Sequence, residues 1–395
     1  MRRTLFRSAS FYSRPAHVAI WLLTAIALAQ PAAASPAAYT LTGVMTGTLG
    51  TQPFNNAMVT WTVYGDTASV GQPNHPMQYQ NVGTFGSINI SGIASAAFTV
   101  PLTVQADQRS GKGDIAIGGS ATAEIQISDP SNVDAWASPL TTAFGPLTDP
   151  GAVSFSAPLA TTQGGLTITV VGNVTFQALL LPPQILSQFV FGGGWYSALY
   201  FTNNGTGAVS ISVTFIADSG MPLVVPSIGA STTTINLAAQ TTAILEAPDV
   251  GALSEGYVTA SFPGGVSGYG VFRQSVPGVP DQEAVVPFAG SVSTSSTLVW
   301  DDTAYTSAVA ISNPSAVPVT VAITVWNTLG AVIGTASIPL AAGAKTEAAL
   351  RGIQGLAAVA GQRGSAQFTV TTGSVAVLGL RFNGTAFTSI PTSQQ

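Results

Sequence analysis

Two stretches decide the reading of this chain. They are Ser197-Ala198-Leu199-Tyr200-Phe201-Thr202-Asn203-Asn204 and Ser307-Ala308-Val309-Ala310-Ile311-Ser312-Asn313-Pro314. Both run as short apolar strands closed by an Asn turn, 110 residues apart. The same offset relates Val213-Thr214-Phe215 to Ile323-Thr324-Val325 and Gly220 to Gly330. Gly270-Val271-Phe272-Arg273 matches Leu378-Gly379-Leu380-Arg381 at an offset of 108. A steady period over four blocks predicts tandem domains. About 100 residues of strand, Asn turn, strand, Gly turn and a late strand ending in Arg suit an immunoglobulin-like sandwich. The expected copies are 188–290 and 291–395, with the boundary near Gly290 and the small-residue run Ser291–Ser296.

Working toward the N-terminus, Leu181-Pro182-Pro183 opens an expected linker over 181–187, since proline cannot continue a central strand. Residues 35–180 again read as strands. Ala57, Val59, Trp61 and Val63 alternate with Thr60 and Thr62, and Leu166, Ile168 and Val170 alternate with Thr167 and Thr169. Period two predicts half-buried strands. Gly65-Asp66 and Asp149-Pro150-Gly151 read as turns. The expected fold class is all-β: an N-terminal β-sandwich followed by two tandem immunoglobulin-like β-sandwich domains.

Residues 1–34 read as a signal peptide. Arg2, Arg3, Arg7 and Arg14 precede the apolar run Val18–Leu28, and Ala32-Ala33-Ala34 offers a cleavage site. The run is short for a membrane span. Arg2-Arg3-Thr4-Leu5-Phe6 also fits a loose twin-arginine pattern. The expected mature chain is secreted or surface-located, with no transmembrane segment. It keeps 7 basic and 16 acidic residues, a net charge of −9. Such a chain does not bind nucleic acid by releasing counterions.

Charged residues are only 7% of the sequence and cysteine is absent. Disulfides, thiolate metal sites and cysteine nucleophiles are excluded. Apolar cores alone must hold the exported domains.

Two segments resemble known bacterial families. Tyr39–Gly50, Phe54-Asn55-Asn56-Ala57, Gly65-Asp66-Thr67 and Leu140–Pro146 resemble a secreted module sometimes found with a C-terminal PEP-type sorting signal. The terminal Thr392-Ser393-Gln394-Gln395 departs from that signal. Gly193–Leu199, Asp218–Leu223, Gly268–Arg273 and Glu283–Pro287 resemble tandem β-sandwich repeats of acidobacterial secreted proteins. Both resemblances imply location and architecture; neither implies an activity.

Candidate chemistry is sparse. Outside the leader, His75 is the single histidine, in the turn Gln72–Pro76, and reads as a loop residue. One histidine without cysteine does not make a zinc or copper site. Glu124, Asp129 and Asp134, Asp301 and Asp302, and Asp281 and Glu283 are the acid groupings for a carboxylate dyad. Asp107–Asp114 is an acidic loop opposed by Arg109 and Lys112, without the alternating acids of a calcium loop. Gly192-Gly193-Gly194 precedes a strand, which excludes the dinucleotide fingerprint. No catalytic residue, metal ligand or cofactor is expected. Arg273 and Arg381 read as equivalent structural arginines, with Glu283 a partner for Arg273. The expected role is a structural or interaction protein for an extracellular polymer or cell-envelope component. The alternatives are a carbohydrate-binding module with Trp195, Tyr196, Trp300 and Tyr305 as an aromatic platform, and a carboxylate-dependent hydrolase.

Overall fold

The computed structural model describes residues 35–74, 76–108, 114–119, 123–128, 138–289 and 292–394. The expected signal peptide, His75, Asp129, Asp134, Gly290, Ser291 and the centre of the Asp107–Asp114 loop lie outside them. The described chain is all-β and antiparallel, with no α-helix among the described residues.

The N-terminal strands are β1 (Pro36–Leu49), β2 (Gln52–Asp66), β3 (Gln78–Val82), β4 (Phe85–Ile90), β5 (Ala94–Ala97), β6 (Thr103–Asp107), β7 (Asp114–Gly118), β8 (Ala123–Ser128), β9 (Phe144–Phe155), β10 (Leu159–Thr161) and β11 (Gly164–Leu180). They form one sheet in the order β3-β6-β7-β8-β9-β11-β1-β2-β4-β5, with β10 beside β11. Both ends of the sheet contribute to a single core. Val59, Trp61 and Val63 of β2 join Val104, Ile115 and Ile125 from the opposite end. Trp61 stacks on Phe98 at 5.1 Å and approaches Phe155 at 6.5 Å.

Two local expectations change here. Asp149-Pro150-Gly151 is a corner inside β9, not a turn between strands. Phe144–Pro150 pairs with β11, and Gly151–Phe155 pairs with β8. A Cβ on Gly151 would lie 2.9 Å from the Val171 side chain, so only glycine lets the strand cross at that point. Val170 is 57% exposed despite its expected place beside Ile168. A register shift between β1 and β11 leaves Thr169 unpaired there, and one extra residue reverses the alternation beyond it.

Leu181–Pro183 carries no strand. Eight strands follow: β12 (Gln184–Phe191), β13 (Trp195–Asn203), β14 (Val209–Ala217), β15 (Thr232–Leu237), β16 (Thr242–Ala247), β17 (Ser254–Ser261), β18 (Val266–Gln274) and β19 (Gln282–Pro287). They make two sheets, β12-β17-β14-β15 and β16-β13-β18-β19. The next nine are β20 (Ser295–Asp301), β21 (Thr306–Ser312), β22 (Val319–Asn327), β23 (Val332–Leu340), β24 (Lys345–Ala349), β25 (Arg363–Thr369), β26 (Ala376–Asn383), β27 (Ala386–Ile390) and β28 (Thr392–Gln394). Their sheets are β23-β22-β25-β20-β28 and β24-β21-β26-β27. Apart from β28, the second set repeats the strand order of the first.

The repetition extends to side chains. Asn203 Nδ2 donates to the Gly207 and Ala238 carbonyls, while its Oδ1 accepts from Gly205 N. Asn313 does the same with Val317, Ala341 and Ser315. Ser197 Oγ donates to the Val190 carbonyl, and Ser307 Oγ to the Asp301 carbonyl. Each is a buried polar group that satisfies backbone left unpaired where a strand ends.

The strand order departs from that of an immunoglobulin domain. The second strand pairs with the fifth and the third with the sixth, as in that fold. The first strand, however, pairs with the sixth and not the second.

Ala34–Gln395 is one compact unit. Tyr64 packs against Gly264, where a Cβ would lie 2.0 Å from the ring. The two repeats share a core: Ala308, Ala310, Leu378, Leu380 and Phe387 belong to the cluster that contains Leu199, Phe201 and Phe272. Strand β21 is therefore buried on both faces, with Val309 and Ile311 turned into its own core.

Candidate functional site

The seam between the repeats is the chemically richest place among the described residues. It forms because the outer face of β21 and β26 is made of small and aliphatic residues. These cover the open side of the first repeat, between edge strands β12 and β19. Phe387 stacks on Phe272 at 5.1 Å, with 11° between the rings, and meets Trp195 at 5.6 Å. Ser389 Oγ donates to the Val285 carbonyl at 2.5 Å, and Tyr257 Oη donates to the Gly343 carbonyl at 3.0 Å.

A charge cluster lies on the same seam. Lys345, with a fully buried side chain, donates to Asp218 at 3.0 Å and to Glu347. Asp218 belongs to the first repeat and Glu347 to the second. Glu255 of β17 completes the group, and one carboxylate oxygen from each of Asp218, Glu255 and Glu347 lies within 4.8 Å of the others. Burial first, and then Glu347, hold the Glu255 carboxyl above its ordinary range, with Lys345 opposing them. The Lys345 ammonium lies where a metal ion would otherwise bind between Asp218 and Glu347. As a strongly hydrated point charge it needs both acids once it is buried.

Beside the cluster is a cavity of about 270 Å³. Trp195, Phe272, Ala308, Leu380 and Phe382 form its apolar walls, and Gln188, Glu255 and Glu347 its polar end. Gln188 reaches it because β12 carries a register shift between Leu186 and Phe189. Such a bulge re-aims a side chain. The Gln188 side chain is buried, and its Oε1 accepts no hydrogen bond.

The four rings expected as a platform are separated. Trp300 is 1% exposed and belongs to the core of the second repeat, so it cannot contact a polymer. Burial stabilises so large a ring more than exposure does. Trp195 is half-buried in the seam. Tyr196, the next strand residue, points to the other face of the sheet. Its ring lies under Arg273 at 4.4 Å, and its hydroxyl donates to Glu246 at 2.6 Å. Burial first, and then Glu246, push the Tyr196 hydroxyl up to about 12. Tyr305 lies under Arg381 at 4.9 Å, at a separate site.

The two arginines are not equivalent. Arg273 pairs with Tyr196 across the strands and Arg381 with Ser307, so they stand on opposite faces of corresponding strands. Phe382 holds the place of Arg273. Arg273 bonds Asp281 at 3.3 Å and not its cross-strand neighbour Glu283.

Of the expected acid groupings, Asp301 and Asp302 serve structure. Asp302 is buried, accepts from Ser307 N at 2.7 Å and binds Arg351 at 3.1 Å. Asp301 accepts from the Thr303 amide and pairs with Arg363. Glu124 lies on β8, and its suggested partners Asp129 and Asp134 lie outside the described residues.

Sequence reasoning missed Gln188, Glu255, Lys345 and Glu347. Lys345 left one signal. It is one of only two lysines in the chain, set in the small-residue run Ala341–Ala344, where solvation alone does not account for it.

An open aromatic face was also missed. Tyr200 and Tyr269 stack at 4.9 Å on the outer face of β13 and β18, beside exposed Ile244 and Val285. Among the described residues, no helix is long and apolar enough to cross a membrane. No family model matches the chain, and no curated protein or solved structure is significantly similar to it.

Proposed function

We propose that the protein is an exported, non-enzymatic interaction protein. In this reading residues 1–34 are a cleaved signal peptide and 35–180 an N-terminal β-sandwich. Two variant immunoglobulin-like sandwiches follow; the first begins with β12 at Gln184, so the proline linker is shorter than the expected 181–187. The partner is an extracellular polymer or a cell-envelope component.

One observation carries this reading. The two repeats share a core through Phe272, Phe387, Ala308 and Leu380, so the C-terminal half presents its outer faces as one rigid surface. Rigid surfaces lose little entropy on binding. Asp218, Asp281, Asp301, Asp302 and Glu347 are engaged in ion pairs, which supports a scaffold over a hydrolase.

The test is co-sedimentation of the chain from Ser35 onward with isolated cell-envelope material and insoluble polysaccharides, alongside assays for glycoside hydrolysis. Saturable retention without turnover is expected. Turnover, or a failure to be retained on any of these materials, counts against the reading.

A second reading places carbohydrate on aromatic rings, and the stacked pair Tyr200–Tyr269 favours it. Tyr269 is 43% exposed, and an open ring face is a contact surface for sugar. Under this reading Tyr269→Ala abolishes retention on polysaccharide, whereas Trp300→Phe leaves it unchanged.

A further inference from the structure

We propose that Asn383 is a site of spontaneous deamidation, in which the Gly384 amide attacks its side chain, and that the fold holds Asn204 intact. This modification is independent of the partner proposed above.

Asparagine is a thermolabile residue, and glycine after it leaves the attacking nitrogen unhindered, since glycine has no Cβ. The chain has two Asn-Gly pairs, Asn204-Gly205-Thr206 and Asn383-Gly384-Thr385. Both are followed by threonine, so local sequence does not tell them apart. In the reaction the Gly384 nitrogen attacks Asn383 Cγ. The N–Cγ bond forms, the Cγ–Nδ2 bond breaks, and Nδ2 leaves as ammonia with the amide proton. Water then opens the succinimide at either carbonyl, leaving an aspartate or an isoaspartate. No oxidant or reductant is needed.

Tertiary structure separates the two pairs. Gly384-Thr385 is the two-residue loop between β26 and β27, closed by the pair Asn383 and Ala386. Gly384 has a φ of 63° and Thr385 does not share the positive φ, which is the type II′ pattern. The Gly384 N–H makes no hydrogen bond among the described residues, nor does the Asn383 side chain. Both residues are exposed, and nothing lies within 4 Å of the place a Gly384 Cβ would take. Gly205, by contrast, is buried, and its amide donates to Asn203 Oδ1 at 2.8 Å. The Asn204 carbonyl accepts from Gln240 Nε2 at 2.9 Å. Aiming the Gly205 nitrogen at the Asn204 side chain turns that peptide unit and breaks its bonds to Asn203 and Gln240. The modification also changes a charge. Arg381 stands two residues from Asn383 on the same face of β26. Both line a cavity of about 220 Å³, where Arg381 is the one charged residue among those described. A carboxylate at position 383 makes that cavity neutral.

The test is to age the chain from Ser35 onward in warm, mildly alkaline buffer and to follow both pairs by digestion and peptide mass spectrometry. Digestion in heavy-oxygen water marks any reaction that occurs during handling. The Asn383 peptide is expected to gain about one dalton and to separate into two isomers. It should do so at least tenfold faster than the Asn204 peptide. In denaturant the two rates should agree within threefold, because the protection of Asn204 is then lost. Equal rates in the folded chain, faster reaction at Asn204, or an Asn383 that stays intact while the chain is folded overturns the proposal. A tenfold difference that persists in denaturant overturns it too, since the sequence and not the fold would then set the rates.

Discussion

The two C-terminal repeats share a strand order and the same Asn and Ser hydrogen bonds, yet one sheet face is used in opposite ways. In the first repeat that face carries Tyr196, Tyr200, Ile244 and Tyr269 and is open. In the second, the corresponding strands carry Ala308, Ala310, Leu378 and Leu380, and the face is buried against the first repeat. The difference is side-chain volume. Ala310 stands where the first repeat has Tyr200, and only small residues let one sheet approach a neighbouring core so closely. A tandem duplication thus gives a docked body when one copy loses the bulk from one face and the other keeps it.

The sharpest way to break this comparison is a matched pair of substitutions. Ala310→Asp buries an unpaired charge in the seam and should cost about 4 kcal/mol or more. Tyr200→Asp, at the corresponding place on the open face, should cost less than about 1 kcal/mol. Chemical denaturation measures both, and similar losses would refute the assignment of buried and open faces. Next in size is Phe387→Ala, which removes the ring between Phe272 and Trp195. A loss of about 3 kcal/mol is expected. The native chain should melt its repeats together, and this variant should resolve them into two calorimetric transitions. A single, merely shifted transition would argue against a shared core.

Where the repeats agree, so should their variants. Asn203→Ala and Asn313→Ala each leave buried carbonyls unpaired. Each should cost about 2 kcal/mol, with the two losses equal within about 0.5 kcal/mol. Unequal losses would mean that the two turns are not the same device.

The smallest effect concerns Glu255, which faces Glu347, Lys345 and Asp218. Its folded pKa is raised, so its contribution to stability is present below the ordinary carboxylate range. That contribution is lost as pH rises through the folded value. The melting temperature should therefore fall over that window in the native chain and stay flatter in Glu255→Gln. Equal slopes would show that Glu255 is not held in its protonated form.

Much of the all-β class was legible in the alternation of residues such as Val59, Trp61 and Val63, which lie on one buried face. The tandem period was legible because identical turns need identical residues: Asn203 and Asn313 sit 110 positions apart and bond the same way. The equation of Arg273 with Arg381 failed by a single residue. In a period-two structure one step reverses the face, and the match at an offset of 108 lies one step from the offset of 109 that relates Arg273 to Phe382. Trp300 failed as a platform residue because a sequence gives a ring's chemistry but not its surroundings.

The sequence by itself determined that this chain builds β-structure without sulfur bridges, and that its last two units share one plan. Period-two patterning and turn chemistry are local, and neighbours along the chain suffice to set them. Tertiary structure alone decided which faces are covered, that β12 bulges at Gln188, and that Lys345 meets Asp218 across 127 residues. Those outcomes depend on the packing of distant surfaces. Burial and electrostatics act through space, and the residues they join carry no mark of one another in the sequence.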